Sequence, residues 1–207
     1  RRSRAGPLAR CVSFPVDQKL LVIILFSLAA LVGAYSIVNA RNVRITEIVV
    51  ALPNLPPEWQ GRRVVLISDT HLGPVRNYVF AQRLANKINK LKPDAVFIAG
   101  DLYDGAAVDL DRIAEPFGGL TAPLGVYFIT GNHEGFGENG KYLEAARRAG
   151  IKALNNEMVE IDGMQIIGID YMAARKKENF QSILRSMNLD KKRPSILLKH
   201  SIDPPRK

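Results

Sequence analysis

Between Leu20 and Ala40 the chain runs for 21 residues without a charged side chain, LLVIILFSLAALVGAYSIVNA. At about 1.5 Å per residue, a helix of that length crosses a hydrocarbon core about 30 Å thick. A helix buried in a water-soluble core would keep a polar stripe, but Ser27, Tyr35, Ser36 and Asn39 are scattered along this one. The run is read as a transmembrane anchor. It divides the chain into a basic segment (1–19), the anchor (20–40), a connector with a first strand (41–62) and one domain (63–207). A cleaved signal peptide is the competing reading, because Val38-Asn39-Ala40 offers small residues before a cut. The apolar run is longer than most such cores, which favours an uncleaved anchor.

The formal charge of +9 would suggest nucleic acid if it were spread over the domain. It is not. Arg1, Arg2, Arg4, Arg10 and Lys19 outweigh Asp17 at one end, and Lys191, Lys192, Arg193, Lys199, Arg206 and Lys207 outweigh Asp203 at the other, leaving residues 20–190 neutral. No nucleic-acid partner is expected. Basic residues tend to remain cytoplasmic, so the excess before the anchor, against a balanced stretch after it, directs the domain outward. Cys11 is the one cysteine, so no disulfide forms within the chain, and it is read as incidental.

After the anchor, Arg44 to Ala51 is β-branched enough for a strand, and Pro53, Pro56 and Pro57 then break it. Arg63 to Ser68 reads as a buried strand. A helix from about Asn77 places Phe80, Leu84, Ile88 and Leu91 on one face. The alternation repeats through a strand at Asp94 to Ala99, a helix at Val108 to Phe117, a strand at Gly125 to Thr130 and a helix at Lys141 to Ala149. Such a pattern predicts an α/β sheet covered on both faces. From Ile151 the pattern changes: Glu157 to Ile161 and Met164 to Ile169 flank the hairpin turn Asp162-Gly163, predicting a second, antiparallel layer. A helix at Lys177 to Met187 and a strand at Ser195 to Lys199 follow.

Four strand ends carry polar motifs, and between them they use all three histidines of the chain. Asp69 and His71 stand two apart where a strand enters its loop; positions i and i+2 point to one side, so a carboxylate and an imidazole can meet one cation. Taken alone, a turn-capping Asp69 and a solvated His71 explain that triplet equally well. Gly100-Asp101 ends the next strand, and strand ends of an open parallel sheet line its ligand crevice. Asp101 can therefore bridge two cations about 3.5–4 Å apart. Asp104 is a supporting acceptor or a turn residue. In Gly131-Asn132-His133-Glu134, the Asn132 oxygen can ligate without adding charge. His133 then remains to protonate a leaving alkoxide, with Glu134 able to hold its ring. His200 directly follows an apolar strand; singly such a histidine is more often structural, but four strand ends together make coincidence improbable.

The set Asp69-Thr70-His71, Gly100-Asp101-Leu102-Tyr103-Asp104, Gly131-Asn132-His133-Glu134 and His200 resembles the calcineurin-like metallophosphoesterase family, particularly its bacterial membrane-anchored members. The resemblance covers roughly Arg44 to His200. It implies an α/β fold, a four-layer α/β/β/α sandwich preceded by one transmembrane helix. It also implies two divalent ions, one held by Asp69, His71 and Asp101, the other by Asp101, Asn132 and His200, with His133 assisting catalysis. The family's downstream Gly-His-x-His motif is not among the 207 residues. The chain is therefore expected to be cut at its C-terminus, with at most three protein ligands per ion.

The expected activity is hydrolysis of phosphate mono- or diesters, or of pyrophosphate bonds, by a two-metal-activated hydroxide. Mixed Asp, Asn and His ligation suits Mn, Fe, Zn or Co. The anchor points to a membrane-associated, lipid-linked phosphoester as substrate and to the bilayer as partner. The competing functions are a nuclease of the same superfamily, disfavoured by the neutral body of the chain (20–190) and by the membrane run, and a membrane module that keeps the fold without the activity.

Overall fold

The computed structural model describes residues 17–40, 42–105, 108–136, 139–175 and 177–201. Most of the predicted basic N-terminal segment, Cys11 included, and the last basic residues lie outside them. The chain divides into two units, Arg1–Thr46 and Glu47–Lys207. The first contains helix α1 (Gln18–Ala40), none of whose residues is buried. Its start is fixed by Asp17, whose side chain accepts from the Lys19 amide at 2.9 Å. It is the one helix among the described residues long and apolar enough to cross a membrane.

The second unit is built on two sheets. Strands β1 (Val64–Ile67), β2 (Ala95–Ala99), β3 (Gly125–Ile129) and β4 (Lys152–Ala153) form a parallel sheet in the order β1-β2-β3-β4. Strands β5 (Glu157–Ile161), β6 (Met164–Gly168) and β7 (Ser195–Leu198) form the second, in chain order. Asp162 and Gly163 both adopt positive φ, 47° and 79°, the backbone a two-residue hairpin turn requires. The helices are α2 (Tyr78–Lys90), α3 (Leu110–Gly118), the short α4 (Asn132–Gly135), α5 (Asn139–Arg148), the short α6 (Tyr171–Ala174) and α7 (Lys177–Ser186).

Side-chain alternation along the strands produces the layers. Phe97, Tyr127 and Ile129 from the first sheet meet Met164, Ile166 and Leu198 from the second, with Trp59 sealing this core. The Trp59 indole N–H donates to the Ile161 carbonyl at 2.9 Å. The intervening residues Val96, Ile98, Val126 and Phe128 are buried on the opposite face, on the side of α2, α3 and α5, which pack on one another in that order. On the outer face of the second sheet, Ile167 and Ile169 pack with Phe180, Ile183 and Leu184 of α7. The result is the expected mixed α/β sandwich, helices outside two facing sheets.

Four details differ from the sequence reading. Arg44 to Ala51 is in no strand: Ile48 and Val49 are exposed, and a ladder needs a partner that β-propensity cannot supply. The strand at 63–68 is an edge strand, and Leu66 is 64% exposed. The second sheet is mixed, since β7 runs parallel to β6. Finally, β4, two residues long and so without readable periodicity, extends the first sheet beside β3.

Candidate metal centre

The site forms where β1, β2 and β3 end side by side. Parallel register aligns Ile67 with Ile98 and Ala99 with Ile129, so the residues after each strand emerge at one edge. The loops are then stitched together by backbone: the Asp69 amide donates to the Gly100 carbonyl at 3.2 Å, and the His71 amide to the Asp101 carbonyl at 3.0 Å. Asp69, His71 and Asp101 all adopt left-handed backbone, with φ of 54°, 46° and 50°. Three of the candidate ligands thus hold a backbone conformation that L-residues adopt uncommonly. Two glycines permit the close approach. A Cβ on Gly100 would lie 2.5 Å from the His200 ring, and one on Gly131 would collide with an Asp101 carboxylate oxygen.

Asp101 is central and buried. Its Oδ1 accepts from the His133 amide at 2.9 Å, while its Oδ2 stands 3.7 Å from His71 Nε2 and 3.6 Å from His200 Nε2. His71 Nε2 is also 3.9 Å from Asp69 Oδ1. Two groups of possible ligand atoms each fall within 4.8 Å: His71, Asp101 and His133, and Asp69, Asp101 and His200. Asp101 belongs to both. The first of these groups includes His133, whose ring meets that of His71 edge-on at 4.5 Å.

The donor chemistry fits a cation. His200 Nδ1 faces the Ala99 carbonyl at 2.8 Å, and His133 Nδ1 faces the Asp104 carbonyl at 2.7 Å. A carbonyl oxygen only accepts, so each Nδ1 carries its proton, and in the neutral rings both Nε2 atoms present lone pairs. His200 Nε2 then meets Asn132 Oδ1 at 3.1 Å, beside Asp101 Oδ2. Converging lone pairs repel unless a positive charge lies among them. Imidazole and carboxylate donors of this kind suit borderline divalent ions.

Both carboxylate oxygens of Glu134 are engaged by backbone amides. The residue is fully buried, and its carboxylate accepts the backbone amides of Asp101 at 3.0 Å, Tyr103 at 2.9 Å and Gly131 at 2.7 Å. Burial pushes its carboxyl above the ordinary range, and those amides act in the opposite direction. Glu134 thus ties the loop after β2 to the loop after β3. Asp104 contributes its carbonyl to His133, and its carboxylate packs where a side chain on Gly73 would stand. Ser68 donates its hydroxyl to Asp69 Oδ2.

Two further groups hold the site and were not read from the sequence. Arg76 donates to the Asp69 and Thr70 carbonyls at 3.1 and 3.0 Å, fixing the first loop. Asp170 accepts from Thr130 Oγ1 at 2.8 Å and caps α6 through the Ala173 amide, anchoring that turn beside the end of β3. The signal for Asp170 was its place at a strand end before a short helix, a capping position. Nothing in the residues around Arg76 announces its two carbonyl partners.

An α/β sandwich with carboxylates, an amide and three imidazoles gathered at strand ends is a site of the kind that can hold metal ions. Residues 62–205 match the family model for calcineurin-like phosphoesterases, and the chain belongs to that family. It is 34% identical over 167 residues to a transmembrane protein with metallophosphoesterase domain from Danio rerio, covering 76% of this chain and 38% of that one. An uncharacterized metallophosphoesterase from Aquifex aeolicus is 32% identical over 177 residues, 84% of this chain and 67% of its own. The UDP-2,3-diacylglucosamine pyrophosphatase LpxG of Chlamydia trachomatis is 33% identical over 93 residues, 44% of this chain and 28% of its own. The chain thus spans well under two thirds of the length of the Danio rerio relative.

Proposed function

We propose that this protein is a membrane-anchored phosphoesterase whose substrate, a phosphate ester or pyrophosphate, is itself membrane-associated. The observation that carries the reading is the position of Asp101 Oδ2, 3.7 and 3.6 Å from imidazoles on two sides, which suits a carboxylate shared by two ions. Asp69, His71 and Asp101 would hold one ion and Asp101, Asn132 and His200 the other. When bound, such a pair acidifies water and neutralises charge developing on phosphorus. The chain's own residues do the rest. His133, its Nδ1 proton held on the Asp104 carbonyl, presents Nε2 toward the site; as the doubly protonated imidazolium it would deliver the Nε2 proton to the leaving oxygen and return to the neutral ring. Glu134 keeps Asp101 and His133 in register through backbone amides.

The membrane part of the proposal is supported by α1 and by relatives named as transmembrane proteins. The name of the Chlamydia relative, a pyrophosphatase of a diacylated sugar nucleotide, supports a lipid-linked substrate for this chain. Positive charge before α1 favours an outward-facing domain. Manganese-dependent hydrolysis of bis(p-nitrophenyl) phosphate by the intact protein tests the activity. Asp101→Asn is expected to lower kcat/KM by at least about a hundredfold, the order associated with losing one preorganised charge-stabilising group. Unchanged turnover in that variant contradicts the shared-ligand role. A panel of lipid-linked and soluble phosphoesters tests the substrate class, and preference for soluble nucleotides contradicts it.

A further inference from the structure

Beside His133 one large apolar side chain stands exposed. Phe136, three residues further on, is 67% exposed. With Tyr142, Gly105 and His133 it lines a cleft of about 230 Å³. A dry cavity of about 150 Å³ already accepts benzene, so this volume accommodates an aryl ring or a short alkyl chain. An exposed aromatic side chain that lines a cleft beside candidate catalytic and metal-binding groups is placed to contact an apolar group of a ligand held there.

The wall is built rather than loose. The Phe136 ring packs edge-on against Tyr171 at 6.1 Å, and Tyr171 packs in turn against the His200 ring at 5.9 Å. Tyr171 is held by its amide, which donates to Thr130 Oγ1 at 3.0 Å. Arg175 places its guanidinium 6.0 Å over the Phe136 ring. Gly135 keeps the two segments in contact, since a Cβ there would lie 3.1 Å from both Tyr171 and Met172. Aromatic groups thus lead in unbroken contact from a candidate ligand, His200, to an exposed ring beside His133.

We propose that the cleft between His133 and Phe136 is a subsite for an apolar group carried by the phosphoester, with Phe136 its principal contact. The inference rests on the phosphoesterase reading and adds to it the chemistry of the group next to phosphorus. Aryl and alkyl groups share that chemistry, so both are tested.

The experiment is binding, not turnover: calorimetric titration of the manganese-loaded intact protein in lipid nanodiscs with methylphosphonate, phenylphosphonate and hexylphosphonate. Burying a phenyl-sized group corresponds to roughly a tenfold or greater gain in affinity over methyl. The expected result is that preference for the phenyl or the hexyl ligand, and its fall to about twofold or less in Phe136→Ala. Phe136→Leu, which keeps an apolar surface, retains most of it. Because Phe136 is exposed, its truncation leaves the core intact. Equal affinity for all three ligands, or a preference that survives in Phe136→Ala, overturns the subsite. Manganese uptake is read separately. Uptake without an apolar preference overturns this inference alone, whereas failure of manganese to bind overturns the phosphoesterase reading and this inference with it.

Discussion

Asp101 has one oxygen committed to the His133 amide and the other turned toward two imidazoles, so its single carboxylate sets both the loop geometry and the ligand geometry. Behind it, Glu134 satisfies three amides that would otherwise be buried without an acceptor. Glu134→Ala leaves those amides unpaired and is expected to cost about 1–3 kcal/mol or more, read as a lower midpoint in chemical denaturation. Glu134→Gln keeps one acceptor oxygen and loses less. A Glu134→Ala protein as stable as the parent contradicts the clamp. His133 lies near enough to His71 and Asp101 to be counted with the ligands, and its proposed role is the proton donor. His133→Gln separates the two: a proton donor's loss lowers kcat by about 10²–10⁴ with metal stoichiometry intact, whereas a ligand's loss lowers the stoichiometry.

Each element reaches the site by a local rule. Asn77 caps α2 through the Val79 amide and Asp109 caps α3 through the Arg112 amide, so both helices begin where the loops release the chain. Asp94, just before β2, accepts the Arg63 amide and the Arg62 guanidinium and thereby ties the entry of β1 to that of β2. Those two hydrogen bonds, the backbone one foremost, hold its carboxyl below the ordinary range. The contribution is therefore present above the unfolded carboxylate pKa, near 4, and is lost as pH falls through the lower folded value. The pair is partly exposed, so it is worth at most about 1 kcal/mol. Asp94→Asn should lower the urea midpoint at pH 7 and leave stability nearly unchanged at pH 2; equal loss at both values contradicts it.

Hydrophobic periodicity made β2, β3, the hairpin and the four longer helices of the domain legible, because buried faces write themselves into residue spacing. What stayed hidden depends on partners distant in sequence. Neither the unpaired course of Arg44 to Ala51 nor the exposure of Leu66 on the edge strand follows from local composition. The candidate ligands were readable because acids and histidines recur at strand ends. Glu134 was read as holding the His133 ring, since neighbours in sequence invite that pairing, while its amide partners 31 to 33 residues away leave no local mark.

At the scale of the whole molecule, the apolar helix and the water-facing domain set different demands on one chain. The helix exposes its entire surface, which is consistent with a lipid environment, and the domain keeps its own core between two sheets. Cys11, the one thiol in the sequence, lies on the N-terminal side of the helix and reports its orientation. Membrane-impermeant maleimide is expected to label Cys11 only after the cytoplasmic side is opened; labelling in intact cells contradicts the outward-facing domain. The central claim, that strand-end residues share two divalent ions through Asp101, is tested most directly by manganese titration of the intact protein followed by electron paramagnetic resonance. The account predicts two ions per chain with the exchange coupling of metals about 3.5–4 Å apart, lost in Asp101→Asn. Two uncoupled ions, or unchanged binding in that variant, would contradict it.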